Sequence, residues 1–137
     1  PERFEAGTPN ISGAIGLAEA FRYLSEMDLA AAGRHEEELA AHATAGLEKI
    51  PGIRIFGKAP GKVAIVSFLY SEAHPHDIGT ILDTEGVAIR VGHHCAQPLM
   101  DFLKVPATAR ASFAFYNNHD DVETFLHAMK KVERFFG

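Results

Sequence analysis

The chain has 137 residues, a formal net charge of −5, 47% hydrophobic residues and 23% charged residues. This composition indicates an ordinary globular domain and argues against a disordered chain. The negative charge argues against a nucleic-acid partner, and no apolar run approaches the ~18 residues of a membrane span. The single cysteine, Cys95, cannot form an internal disulfide, so we expect a free thiol and a cytoplasmic protein.

The first part of the chain predicts two helices. The chain begins at Pro1 without methionine, so we expect a segment of a longer protein. Over residues 12–26, apolar residues recur at helical spacing and predict an amphipathic helix. The alanine-rich stretch 29–50 predicts a second helix, whose apolar face is formed by Leu39, Ala43, Leu47 and Ile50.

Four stretches predict the strands of a sheet. Ile53–Phe56 and the apolar run 63–69 indicate strands, and Val87, Ile89 and Val91 alternate with other residues as in a half-buried strand. Residues 92–98 are expected to form a loop. In the stretch 107–116, the predicted polar face holds Thr108, Arg110 and Ser112, and the apolar face holds Ala109, Ala111, Phe113 and Phe115.

Two more helices complete the prediction. Pro75 suits a first helical turn, and this helix is expected to bury Ile78, Ile81 and Leu82 before Gly86 ends it. Residues 118–121 predict the cap of a last helix, whose core face holds Val122, Phe125, Leu126, Met129 and Phe136. We therefore expect an α+β fold, a three- to four-stranded, mostly antiparallel sheet covered by helices.

The predicted loop 92–98 holds the strongest candidate for chemistry. His93 and His94 precede Cys95, and Arg90 lies nearby in the preceding strand. Positive neighbours favour the thiolate, which is the nucleophilic form of cysteine. The alternative is a buried structural cysteine, because free cysteine is among the most buried residue types.

A metal site is a second alternative for the same residues. The stretch 74–77 supplies two histidines and an aspartate, and the loop adds His93, His94 and Cys95. Imidazole and thiolate are zinc ligands, but no paired spacing typical of zinc sites is present.

Arg110 and Thr8 are weaker candidates for binding. A guanidinium on a strand of alanine and phenylalanine needs a partner, which is either a carboxylate of this chain or that of a substrate. Gly7 and Thr8 precede a predicted helix, where a hydroxyl and free amides suit a phosphate, although most such stretches are turns with a helix cap.

Taken together, these segments resemble the SufS-type (group II) cysteine desulfurases and the related selenocysteine lyases. The matching stretches are residues 3–10, 86–100, 109–112 and 116–117, in the family's order and spread over the chain. The resemblance implies the C-terminal small domain of a fold-type-I enzyme that uses pyridoxal 5'-phosphate (PLP). Residues 1–26 would then be a linker and helix from the large-domain boundary, and residues 27–137 the small domain.

The resemblance also implies roles for individual residues. Cys95 would receive sulfur from L-cysteine as a persulfide for iron–sulfur cluster assembly, leaving L-alanine. Arg110, Arg90 and His94 would bind substrate. Thr8 and Gly7 would bind the phosphate of PLP held by the other subunit of a homodimer. His76 and His93 would face a sulfur acceptor of the SufU or SufE type.

One feature departs from the family pattern. The lysine that holds PLP normally follows a histidine, and none of the six lysines here does. We therefore expect the isolated segment to be inactive, whereas the parent enzyme would be active. The alternative functions are a sulfur carrier that works without PLP and a zinc-binding module, both using Cys95.

Overall fold

In the computed structural model, residues 2–71 and 73–137 are described. These residues divide into two compact units, the first ending at Ala32 and the second beginning at Gly33. In the first unit, a 3₁₀ turn at Glu2–Phe4 precedes helix α1 (Ile11–Ser25). The side chain of Asn10 caps α1 by accepting the amide N–H of Gly13 at 2.8 Å. The described elements of the second unit begin within α2 (Leu29–Leu47), followed by β1 (Ile53–Phe56), β2 (Ile65–Tyr70), α3 (Pro75–Thr84), β3 (Arg90–Gly92), α4 (Gln97–Leu103), β4 (Thr108–Ser112) and α5 (His119–Phe136).

The second unit is built on a four-stranded sheet in the order β1-β2-β4-β3. All three strand pairs are antiparallel, which confirms the predicted α+β fold. Along β2 the residues alternate between partly buried and buried, so one face of the sheet forms the core.

The core lies between the sheet and the helices. Phe68 of β2 is fully buried, and its ring contacts that of Phe125 in α5 edge to face. The largest fully buried helical side chains are Leu39, Leu47, Ile78, Leu82, Val122, Met129 and Val132. The predicted apolar faces of α2, α3 and α5 are therefore confirmed, because their main members are in this cluster.

The structure corrects the sequence prediction in the region of β3. Strand pairing covers only Arg90–Gly92, although Val87 and Ile89 pack partly against the core as their alternation indicates. The ladder between β3 and β4 does not extend to residues 87–89, which line a cavity of about 240 Å³ together with residues 111–113.

The predicted loop and last strand also differ from the structure. The loop ends at Ala96, because Gln97–Leu103 is a helix with Pro98 in its first turn. Strand β4 ends at Ser112, since a turn follows in which the side chain of Asn117 accepts the amide N–H of Ala114 at 3.0 Å.

The predicted assignment of residues 1–26 to the large-domain boundary and of residues 27–137 to the small domain stays a prediction, and Pro1 lies outside the described residues. Among the helices that the structure describes, none has the length and apolarity to cross a membrane.

Candidate functional site

Cys95 lies in a tight turn between β3 and α4, here called the Cys95 loop (residues 93–96). Its side chain is exposed, which contradicts the alternative of a buried structural cysteine. His94 and Cys95 both have left-handed backbone conformations, with φ of 57° and 55°. The loop is closed by the amide N–H of Ala96, which donates to the carbonyl oxygen of His93 at 2.9 Å. An exposed thiol on a tight turn is accessible to a reactant.

Two neighbours contact Cys95 directly. The guanidinium Nη2 of Arg90 donates a hydrogen bond to Cys95 Sγ at 3.5 Å. The amide N–H of Cys95 donates to Nδ1 of His93 at 3.2 Å, so His93 supports the turn through its ring. Of the three residues expected near the thiol from sequence, Arg90 contacts the sulfur, His93 contacts the backbone amide of Cys95, and His94 contacts β4 instead.

Two arginines lie side by side on the sheet next to the loop. Arg90 of β3 pairs with Arg110 of β4, and Arg110 also pairs with Ser67 of β2. Directly paired residues point to the same face of a sheet, here the face opposite the core. Nε of Arg110 is buried without a hydrogen-bond partner. Adjacent like charges repel, and an anion bound between the two guanidinium groups would offset this repulsion. The pair is therefore suited to an anion such as a carboxylate.

His94 points away from the thiol and contacts β4. Its Nε2 lies 3.1 Å from the carbonyl oxygen and 2.8 Å from the hydroxyl oxygen of Thr108. Burial and, after it, the positive charge of Arg110 lower the pKa of His94, outweighing the opposite effect of the hydrogen bond to Thr108. The neutral imidazole is therefore favoured, and its predicted contact with substrate stays a prediction.

Thr108 is a site residue that the sequence analysis missed. It was predicted on the polar face of its strand, yet only 1% of it is exposed. Its neighbours in sequence do not indicate a role, because its hydrogen-bond partner His94 lies 14 residues away, in the Cys95 loop.

The remaining predicted site residues are Gly7, Thr8 and His76. Gly7 and Thr8 are exposed residues of the first unit, and Gly7 has a φ of 88°. His76 is exposed in the first turn of α3, where its amide N–H donates to the ring of His74 at 3.2 Å. No group of three or more candidate metal ligands occurs within residues 2–71 and 73–137.

The sequence and the fold were compared with those of known proteins. Residues 1–125 match the family model described as Aminotransferase class-V. The chain belongs to the class-V aminotransferase family. The match includes the Cys95 loop and both arginines, so the whole candidate site lies inside the family region.

Curated relatives in this family are similar over the whole chain. A probable cysteine desulfurase of Xylella fastidiosa (strain Temecula1) is 50% identical over 137 residues, which are 100% of this chain and 33% of the relative. A probable cysteine desulfurase of Staphylococcus aureus (strain COL) is 49% identical, with coverage of 99% and 33%. The chain thus spans about one third of the length of these curated relatives.

Solved structures of family members have the same fold. The cysteine desulfurase CsdA from Escherichia coli superposes with a TM-score of 0.91 at 38% identity, covering 97% of this chain and 33% of that chain. The cysteine desulfurase from Thermococcus onnurineus NA1 gives a TM-score of 0.91 at 43% identity, with coverage of 99% and 34%. The α+β arrangement described above is therefore that of one part of these enzymes.

Proposed function

We propose that this chain is the part of a PLP-dependent cysteine desulfurase that carries the sulfur-accepting cysteine. The observation that carries the proposal is the exposed thiol of Cys95. This thiol contacts Arg90, which is paired with Arg110 in the sheet. The names of the curated relatives support the same activity for the parent protein. The position of this segment at the carboxyl end of the parent stays a prediction.

The proposed reaction transfers one sulfur atom to Cys95. The carbon–sulfur bond of L-cysteine breaks, and a sulfur–sulfur bond forms on Cys95 Sγ. One L-cysteine and one thiol become one L-alanine and one persulfide, so atoms and electrons balance without an external oxidant. The guanidinium of Arg90 beside Sγ attracts an anionic sulfur, which is the attacking form.

The arginine pair is proposed to hold the substrate. The planar fork of Arg110 can grip a carboxylate with two hydrogen bonds, and its buried Nε lacks a partner in the described chain. Arg90 lies opposite it in the ladder and adds a second positive charge. Together they would orient the α-carboxylate of L-cysteine while its sulfur faces Cys95.

The described residues do not fit a complete PLP site. A lysine must hold the cofactor, and in the family it follows a histidine, which none of the six lysines here does. Lys58 and Lys131 also form ion pairs with Glu48 and Glu85. Thr8, the proposed phosphate contact, is exposed. When bound, PLP supplies the electron sink for breaking bonds of the amino acid, and the protein supplies its binding and orientation. We propose that parts of the parent outside this chain supply the lysine, and that the isolated chain is inactive.

The finer assignments rest on the resemblance and belong to the same proposal. The parent would be a cytoplasmic homodimer in which Thr8 and Gly7 contact the phosphate of PLP held by the other subunit. The persulfide would supply iron–sulfur cluster assembly through an acceptor of the SufU or SufE type. His76 and His93 are proposed to face that acceptor, since both are exposed.

Mass spectrometry of the parent protein tests the activity. After addition of PLP and L-cysteine without reductant, the peptide that contains Cys95 should gain the mass of one sulfur atom. A Cys95→Ala variant should bind PLP without this gain, because the accepting sulfur is absent. PLP binding by the wild type without any gain on the Cys95 peptide would contradict the proposal.

A variant of His76 tests the acceptor surface. In the parent protein, His76→Ala should slow transfer of sulfur to a SufU-type acceptor, which the resemblance implies contains zinc, because an imidazole proposed to face that metal is lost. Formation of the Cys95 persulfide should continue, since His76 is not among the contacts of Cys95. The exposed His127, on α5, provides the matched control as His127→Ala. Equal loss of both steps in His76→Ala would contradict the assignment.

A further inference from the structure

We propose that His94 and Thr108 form a latch that holds the Cys95 loop against β4 and so positions the thiol relative to Arg110. This inference rests on the proposed function, because it assigns a positioning role for the same reaction. His94 does not contact the sulfur and is therefore not a catalytic residue in this proposal.

The contacts of the latch are made across the β3–β4 ladder. His94 Nε2 lies within hydrogen-bond distance of both oxygens of Thr108, at 3.1 Å and 2.8 Å. A buried hydroxyl needs a partner, and Thr108 is almost completely buried. The ring of His94 thus satisfies Thr108 and ties the loop to a strand on which it does not itself lie.

The backbone of the loop explains why such a tie is needed. His94 and Cys95 are consecutive residues in the left-handed region, which residues other than glycine rarely adopt. Such a conformation persists only where surrounding contacts determine it. Two of these contacts are internal to the loop and involve His93, whereas the latch is the one that joins it to β4.

The latch and the arginine pair share one strand. Thr108 and Arg110 are two residues apart on β4, so their side chains lie on the same face of the sheet. In the ladder, Thr108 pairs with Gly92 and Arg110 pairs with Arg90. Through the latch, the strand that would bind the substrate carboxylate also fixes the loop that carries the nucleophile.

The charged groups around His94 favour its neutral form, and we propose that this form makes the contacts with Thr108. The positively charged groups that act on its ring are Arg110, Arg90 and, when protonated, His93. Nδ1 of His94 is buried without a hydrogen-bond partner. A proton there would add a buried donor without an acceptor beside Arg110, which is unfavourable.

Amide hydrogen exchange in the full 137-residue chain tests the latch without any catalytic readout. The amides of Cys95 and Ala96 should exchange about fivefold faster in Thr108→Val, the factor expected for one lost hydrogen bond, because this variant keeps the carbonyl contact. They should exchange at least as fast in His94→Asn, which loses both contacts. Thr108→Ser should restore the wild-type rate because it keeps the hydroxyl. His42→Asn is the matched control, since it removes a histidine contact with Glu123 at 2.5 Å in another place.

If His94→Asn folds and its Cys95 and Ala96 amides exchange at the wild-type rate, the proposed latch is wrong. If His94→Asn fails to fold, the exchange rates of Thr108→Val and Thr108→Ser are compared instead, and equal rates in these two variants would overturn the latch.

In the complete parent enzyme, Thr108→Val should lower kcat for L-cysteine at unchanged KM, because Arg110 is retained. Faster exchange together with no persulfide in the wild-type parent would refute the proposed function and leave the latch standing.

Discussion

At the scale of single residues, the Cys95 loop combines an unfavourable backbone with several local contacts. Left-handed conformations at His94 and Cys95 cost roughly 1–2 kcal/mol for each residue. The ring and carbonyl of His93 and the oxygens of Thr108 offset this cost through hydrogen bonds. The result is a turn in which neighbouring side chains point to opposite sides, His94 toward the sheet and Cys95 toward solvent.

The lowered pKa of His94 predicts a pH dependence of stability. The ordinary value is about 6.5, and the folded state binds the proton more weakly than the unfolded state. The contribution of His94 is therefore present above about pH 6.5 and is lost as the pH falls toward the lowered pKa. The free energy of unfolding in urea should decrease from about pH 7.5 to about pH 5.5, and this decrease should be smaller in His94→Asn.

The decisive quantity is the difference in the free energy of unfolding between the wild type and His94→Asn, because the chain has eight histidines in all. Subtracting the variant removes the contributions that both proteins share. The same decrease in wild type and His94→Asn would contradict a lowered pKa at this position.

At the scale of secondary-structure elements, the start of α5 is held by a reciprocal cap. The side chain of Asn118 accepts the amide N–H of Asp121 at 3.1 Å, and Asp121 accepts the amide N–H of Asn118 at 3.0 Å. This capping box satisfies two backbone donors that a helix start leaves free. The helix it anchors supplies much of the core, including Phe125 and Met129.

Removing this cap should destabilise the domain. Asn118→Ala should lower the free energy of unfolding by about 1 kcal/mol, because a backbone donor of α5 loses its acceptor. Asn118→Asp is the matched control and should stay near the wild type, since its carboxylate accepts the same bond and suits the positive end of the helix. Chemical denaturation measures both, and equal stabilities of the two variants would contradict the role of the cap.

At the scale of the whole molecule, the first unit contains an apolar helix with no buried residues. Leu17, Phe21 and Leu24 lie at helical spacing on α1 and are 58%, 64% and 40% exposed. Exposed apolar patches of this kind promote association. The chain spans about one third of its curated relatives, and we propose that another part of the parent covers this stripe.

The isolated chain is therefore expected to self-associate. Sedimentation velocity should show a mass that increases with concentration. The double variant Leu17→Glu/Phe21→Lys should remain monomeric, because it replaces the stripe with a charge pair suited to a helix surface. A wild-type chain that stays monomeric over the same concentrations would contradict this prediction.

Local patterns in the sequence determined most of the elements. Apolar spacing predicted the core faces of α2, α3 and α5, because each helix buries one stripe whatever it packs against. The limits of β1 and the cap of α5 were also predictable, since they depend on neighbouring residues. The cysteine and its histidine and arginine neighbours were recognisable as a candidate site for the same reason.

Contacts between distant segments decided the rest. The pairing of Arg90 with Arg110 depends on strand order, and the contact of His94 with Thr108 depends on a turn with two left-handed residues. The extent of β3 likewise depends on where it pairs with β4. Residue spacing alone encodes none of these, because each arises where separate elements meet in space. The sequence thus predicted Cys95 as the candidate nucleophile and predicted the fold class, and only the tertiary structure decided which contacts hold the Cys95 loop.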